Sequence, residues 1–221
     1  MKTTKPSEAK HIVSCLVADQ LEAQGFVASS ISWLRRRSTT FRDVFSVSVN
    51  RGAIALNWGF LLDYVPEVGA TRIKNKPKNG VLIGDSLDLG RRSAAGRLFE
   101  VSWLQPREAL ELEARRLVPD AVNAAQAEWN RACNVVDIQM LLARAKMRFH
   151  GKHHSFDMLP NLSLSLAFSL AMLGQARAAA EQLEEFMERH EVAENLRPKL
   201  RTALQCTLEE SSNNTMHATC E

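Results

Sequence analysis

Hydrophobic spacing divides the chain into a helical start, a middle of period two and a long helical end. Ile12, Val13, Leu16, Val17 and Leu21 follow Pro6-Ser7 at helical spacing and predict an N-terminal helix with one buried face. Gly25 stands where that helix should stop, because glycine takes the left-handed C′ conformation without strain, and Phe26 supplies the apolar contact of a Schellman ending. Beyond it Ile31, Trp33 and Arg35 alternate with Ser32, Leu34 and Arg36, and after Ser38-Thr39-Thr40 the residues Phe45, Val47 and Val49 oppose Ser46, Ser48 and Asn50. Asn50-Arg51-Gly52 is a turn leading into Ile54, Leu56, Trp58, Phe60 and Leu62 on one face, so a hairpin is predicted.

The run Thr71 to Gly80 carries four cations, no acid and a proline and reads as an exposed basic loop; Val81-Leu82-Ile83 is a short strand candidate. Phe99, Val101 and Trp103 alternate once more, and Pro106 at an N1 position opens the helical part. There Leu110, Leu117 and Val118 mark one helix, Pro119 is read as starting the next, and Asn134 caps a third through Val135, Ile138, Leu141 and Leu142. His150 to Asp157 reads as a polar loop. Leu162 to Leu173, Gly174 and Ala178 to His190 form a helical pair; the Leu-Ser alternation at 162–166 also fits a strand, but the apolar run is too long for one. Pro198 to Leu208 is a last helix. The expected fold is α+β, a small antiparallel sheet with an N-terminal helix, followed by a C-terminal helical region packed on it. The regions are 1–105, 106–208 and a disordered tail at 209–221.

The order of a helix ending at Gly25-Phe26, a strand bearing Trp33 and Arg35, a strand through Phe45 to Asn50, and Asn57-Trp58-Gly59 resembles the bacterial domain of unknown function family 4304 over residues 7–104. In place of the glutamine-rich central strand of that family this chain has Val44 to Val49. The resemblance implies a bacterial fold and no particular reaction.

Composition narrows the classes without naming one. With 45% hydrophobic and 24% charged residues in 221, the chain can bury a core, and a net charge of +3 is too small to mark a nucleic-acid binder by itself. That charge is uneven: the first 110 residues hold 16 Lys and Arg against 10 Asp and Glu, the rest 12 against 15. The apolar run behind the basic start is broken by Glu8, Lys10, His11 and Asp19, so no secretory signal is read, and no stretch reads as a membrane span. Four scattered cysteines without a Cys-x-x-Cys pair predict reduced thiols in a cytoplasmic protein.

Several motifs carry possible chemistry. Gly84-Asp85-Ser86-Leu87 matches the nucleophile block of the GDSL ester hydrolases, which would make Ser86 the nucleophile; the Asp-x-x-His base and the Gly-x-Asn-Asp block are both missing from the chain, and a turn is the simpler reading. His150, His153, His154 and Asp157 have ligand chemistry but enclose Lys152 and lack a helical His pair, so no metal is assigned. Arg35, Arg37 and Lys74, with Trp58, make a basic and aromatic set suited to an acidic partner or a nucleic-acid backbone. These four are the predicted binding residues. The expected function is a non-catalytic binding or interaction module, of which the toxin-immunity kind is one form, with a protein partner, nucleic acid as the less favoured alternative, and no cofactor.

Overall fold

The computed structural model describes residues 3–29, 32–74, 99–149 and 160–217, in two compact units. The first unit comprises 3–37, 42–61 and 99–131; the second comprises 38–41, 62–74 and 132–217. The units do not follow the change from strands to helices at Pro106, because the first long helix after it belongs with the sheet.

In the first unit α1 (Pro6–Leu21) buries Ala9, Val13, Val17 and Leu21, one residue per turn on the face predicted. A 3-10 turn, Glu22–Gln24, tightens its end, and Gly25 at φ 81° closes it. The Phe26 N–H donates to the Leu21 carbonyl (3.1 Å) and the Gly25 N–H to the Glu22 carbonyl (3.0 Å), which is the paired bonding of a Schellman motif. Phe26 is buried, as its role in that motif requires.

Five strands follow: β1 (Val27–Ser29), β2 (Ser32–Arg36), β3 (Phe41–Asn50), β4 (Ala53–Leu62) and, after the short β5 (Glu67–Val68) and β6 (Ile73–Lys74), β7 (Glu100–Ser102). β1-β2-β3-β4-β7 form one antiparallel sheet and β5-β6 a separate antiparallel pair. Gly52 at φ 86° makes the β3–β4 turn. Alternation holds on β4, where Ile54, Leu56, Trp58, Phe60 and Leu62 are all buried, and Ala55 and Leu61 show that its other face is largely covered too. Val49, by contrast, is exposed near the tip of the hairpin.

α2 (Arg107–Trp129) takes Pro106 as its N-cap instead of its first residue and packs against α1. It passes straight through Pro119, where the sequence predicted a new helix. Proline removes the N–H that would bond the Arg115 carbonyl, but Arg115 lies on the exposed side, where water serves it. Leu117, Val118, Ala121, Val122, Ala125 and Trp129 are buried on either side of the break, and that burial outweighs a cost of about 3 kcal/mol for an interior proline.

The second unit is a helical cluster: α3 (Val135–Phe149), α4 (Pro160–Met172), α5 (Ala176–Arg189) and α6 (Arg197–His217). Asn134 caps α3 as predicted. Its side-chain oxygen accepts the Asp137 N–H (3.0 Å), while an Asp137 carboxylate oxygen accepts the N–H groups of Cys133 (2.8 Å) and Asn134 (3.2 Å). α4 is the central helix, in contact with α3, α5 and α6, and Leu162 to Ala171 are buried in succession. This explains the ambiguous Leu-Ser pattern: a helix covered all round has no polar stripe to show its period. Its serines are satisfied inside, Ser163 accepting from Gln182 (3.0 Å) and Ser169 bonding the Tyr64 hydroxyl (2.9 Å). Gly174 at φ 69° ends the segment. α6 continues to His217, so residues 209–217 of the predicted disordered tail are helical, and the Ser211 hydroxyl donates to the Met172 carbonyl (2.8 Å). Among the described residues, no helix is long and apolar enough to cross a membrane. Val81 to Ile83 and the His150 to Asp157 loop lie outside the described residues.

Candidate functional site

Antiparallel pairing puts Arg35 of β2 directly opposite Asp43 of β3. Asp43 is fully buried, and Arg35 holds one of its oxygens through Nε (3.0 Å) and Nη2 (2.7 Å). Arg37 approaches the other oxygen at 3.7 Å and also donates to the Trp129 carbonyl. Burial pushes the Asp43 carboxyl above its usual range, against the pull of the two guanidiniums. The Arg35 guanidinium further lies 4.7 Å from the Phe26 ring and 5.5 Å from the Trp129 ring, close enough for cation–π attraction. Trp129 is buried, with its indole N–H donating to the Gly59 carbonyl (3.0 Å).

The four predicted binding residues therefore separate into three settings. Arg35 and Arg37 come together, but around an internal carboxylate. Trp58 is a core residue, 2% exposed, stacked on Phe45 at 6.0 Å and edge-on to Phe99 at 5.3 Å. Lys74 is in the second unit, where it pairs across the β5–β6 hairpin with Glu67 (3.2 Å). Ser86 and the histidine cluster lie outside the described residues. Among the described residues, no three His, Cys, Asp or Glu side chains gather as metal ligands.

Sequence reasoning missed Asp43 and Trp129. The signal for Asp43 was a lone acid within the apolar run of β3, two strands of period two setting it across from an arginine. Trp129 continues the buried register of Val118, Val122 and Ala125, and became legible only once α2 was seen to run past Pro119.

A more open site lies in the second unit. A cleft of about 680 Å³ runs along α6, with Asp63, Tyr64, Pro66 and Ile73 from the hairpin region on one side. Pro198, Lys199, Thr202, Ala203, Cys206, Thr207 and Glu210 of α6 form the other side, and the fully buried Phe168 of α4 lies beneath the cleft. The 3.6-residue turn explains the choice: positions 199, 202, 203, 206, 207 and 210 repeat at three and four and make one stripe on α6. Burial raises the Tyr64 hydroxyl above its ordinary range, and that hydroxyl is engaged with Ser169 beneath the cleft (2.9 Å). Cys206 is a free, exposed thiol, and among the described residues lining the cleft no histidine accompanies it. A smaller depression of about 460 Å³ between α5 and α6 contains the Glu184–Arg201 ion pair (2.7 Å), which bonds its two rims together.

Comparison with known proteins finds no matching family model, no matching curated protein and no matching solved structure.

Proposed function

We propose that the chain is a binding module that holds its ligand without transforming it, and that the ligand occupies the cleft along α6. The observation that carries this reading is the cleft itself: about 680 Å³, with half-buried Ile73 and Ala203 and a few polar groups at its walls. That size and mixture are typical of ligand sites. The basic strand residues support it less well, since Arg35 and Arg37 face Asp43 and Lys74 faces Glu67. The resemblance of residues 7–104 to domain of unknown function family 4304 adds the expectation of a bacterial interaction module with a protein partner, of which a toxin-immunity protein is one form.

Filling the cleft tests the reading. Ala203, half-buried on the α6 wall, is changed to Trp, and a fragment library is screened by ligand-observed NMR against both proteins. Fragments that bind the parent, are lost on Ala203→Trp and are recovered chemically unchanged support the proposal. Fragments that bind both proteins equally place the ligand elsewhere, and fragments recovered as products replace binding with catalysis.

A further inference from the structure

The geometry points to a second copy of this chain as the partner of α3, the two helices lying antiparallel along the stripe Val136-Met140-Ala143-Met147. None of these residues lines the α6 cleft, so the contact is separate from it. Among the described residues seven large hydrophobic side chains are exposed, and three of them, Val136, Met140 and Met147, stand on this one helix, each at least 42% exposed. The stripe is not the edge of the core. At 3.6 residues per turn its four positions fall within about 60° of one another, and the buried Ile138 and Leu142 are centred about 150° away. Steps of four, three and four are those of a heptad seam, with Val136 and Ala143 at d and Met140 and Met147 at a. Methionine adapts to a facing surface, and the small Ala143 lets a second helix come close.

Charge selects the partner and its direction. The e positions beside the seam are Asp137 and Arg144, opposite in sign. Arg144 is exposed and, among the described residues, has no ion pair. Asp137 caps the helix through Oδ2 alone, holding the N–H groups of Cys133 and Asn134, and leaves Oδ1 outside that cap. In an antiparallel pair each a faces a d and each e faces an e. Val136 then meets the partner's Met147, Met140 meets the partner's Ala143, and Asp137 meets the partner's Arg144, each contact made twice by symmetry. Parallel helices would instead set Arg144 against the partner's Gln139 and leave Asp137 without a cation. One patch that completes itself when turned over is what a two-fold interface requires. A membrane or nucleic-acid surface would need a surplus of cations, and the seam is flanked by one acid for its one unpaired arginine. The seam spans about 16 Å, short of a standard interface, so concentration governs the pair.

Sedimentation velocity of the full chain is run from about 1 μM to about 1 mM, the span of weak association. The parent is expected to pass from the mass of one chain to that of two. Met140→Lys puts an ammonium group into the seam and should keep the chain monomeric throughout. Arg144→Glu sets two acids together at both ends and should weaken the dimer about tenfold in about 50 mM salt, and by less than about threefold in about 1 M salt, where exposed charges are screened. Both residues are exposed, and far-UV circular dichroism verifies the helix content of each variant. With the four cysteines changed to serine, a mixture of Val136→Cys and Met147→Cys chains should form the mixed disulfide. Antiparallel helices bring those two positions together and hold two copies of either one about 16 Å apart, beyond the Cα separation of about 7 Å that a disulfide spans. A chain monomeric at every concentration, a dimer that both point variants leave intact, or a Val136→Cys chain that links only to itself overturns the proposal.

Discussion

Replacing Asp43 by alanine should cost the first unit about 3 kcal/mol. The carboxylate is fully buried while the Arg35 and Arg37 side chains keep 20% and 23% of their exposure. Cutting one member from a buried ion pair costs about 3–5 kcal/mol, because the charge left behind is stranded. Here the arginines can each reach some water, and Arg35 keeps its contacts with Phe26 and Trp129, which moves the expectation to the lower end. This cost is compatible with a carboxyl that burial itself penalises: the intact cluster adds little net stability, yet its halves cannot stand apart. For a protein of this size about 3 kcal/mol lowers the midpoint by about 6–12 °C. All four tryptophans, Trp33, Trp58, Trp103 and Trp129, belong to the first unit, so intrinsic fluorescence during urea and thermal unfolding reports on it specifically. Asp43→Asn, which keeps an acceptor for Arg35 and loses the charge, should cost less than Asp43→Ala. A loss below about 1 kcal/mol for Asp43→Ala would refute the reasoning, since that is what an exposed ion pair gives.

Three further outcomes are expected. Because burial raises the Asp43 carboxyl in the folded state, its ionisation favours the folded form less than the unfolded one, and its contribution to stability declines as pH rises from the ordinary carboxyl range through the raised folded value. The stability advantage of the parent over Asp43→Asn should therefore shrink between pH 4 and pH 7 in urea titrations; an advantage that widens would mean the two arginines outweigh burial. Pro119→Ala restores an N–H to the Arg115 carbonyl and should stabilise the first unit by about 1–3 kcal/mol in the same fluorescence assay, whereas destabilisation would show that the helix depends on the local bend or ring packing. Gly25→Ala puts a Cβ at φ 81° with no neighbour within 4 Å, so only backbone strain of about 1–2 kcal/mol is expected, and a much larger loss would reveal a steric role.

Local signals were readable wherever one residue type answers one backbone demand. Gly25, Gly52 and Gly174 ended or turned the chain where expected, and Asn134 capped α3, because positive φ and orphan N–H groups leave few alternatives. Pro119 misled because proline's local penalty is smaller than the burial available to a 23-residue helix, a quantity that depends on what packs against it. The end of α6 misled for a related reason: residues 209–217 carry no strong apolar stripe, and Ser211 is held by a carbonyl 39 positions away. The basic set was read from the count of cations, which cannot show that two arginines share a buried acid eight and six residues along. In the α6 cleft the stripe was present in the sequence, but only the placement of Tyr64, Ile73 and Phe168 opposite it makes a site.

Intermolecular nuclear Overhauser effects from a fragment that binds the parent protein and is lost on Ala203→Trp, recorded on isotope-labelled protein, test the central claim most directly. The account predicts contacts from the fragment to the Ala203 methyl group and the Ile73 side chain, both half-buried in the cleft wall. Contacts confined to other surfaces, with Ile73 and Ala203 silent, would contradict it.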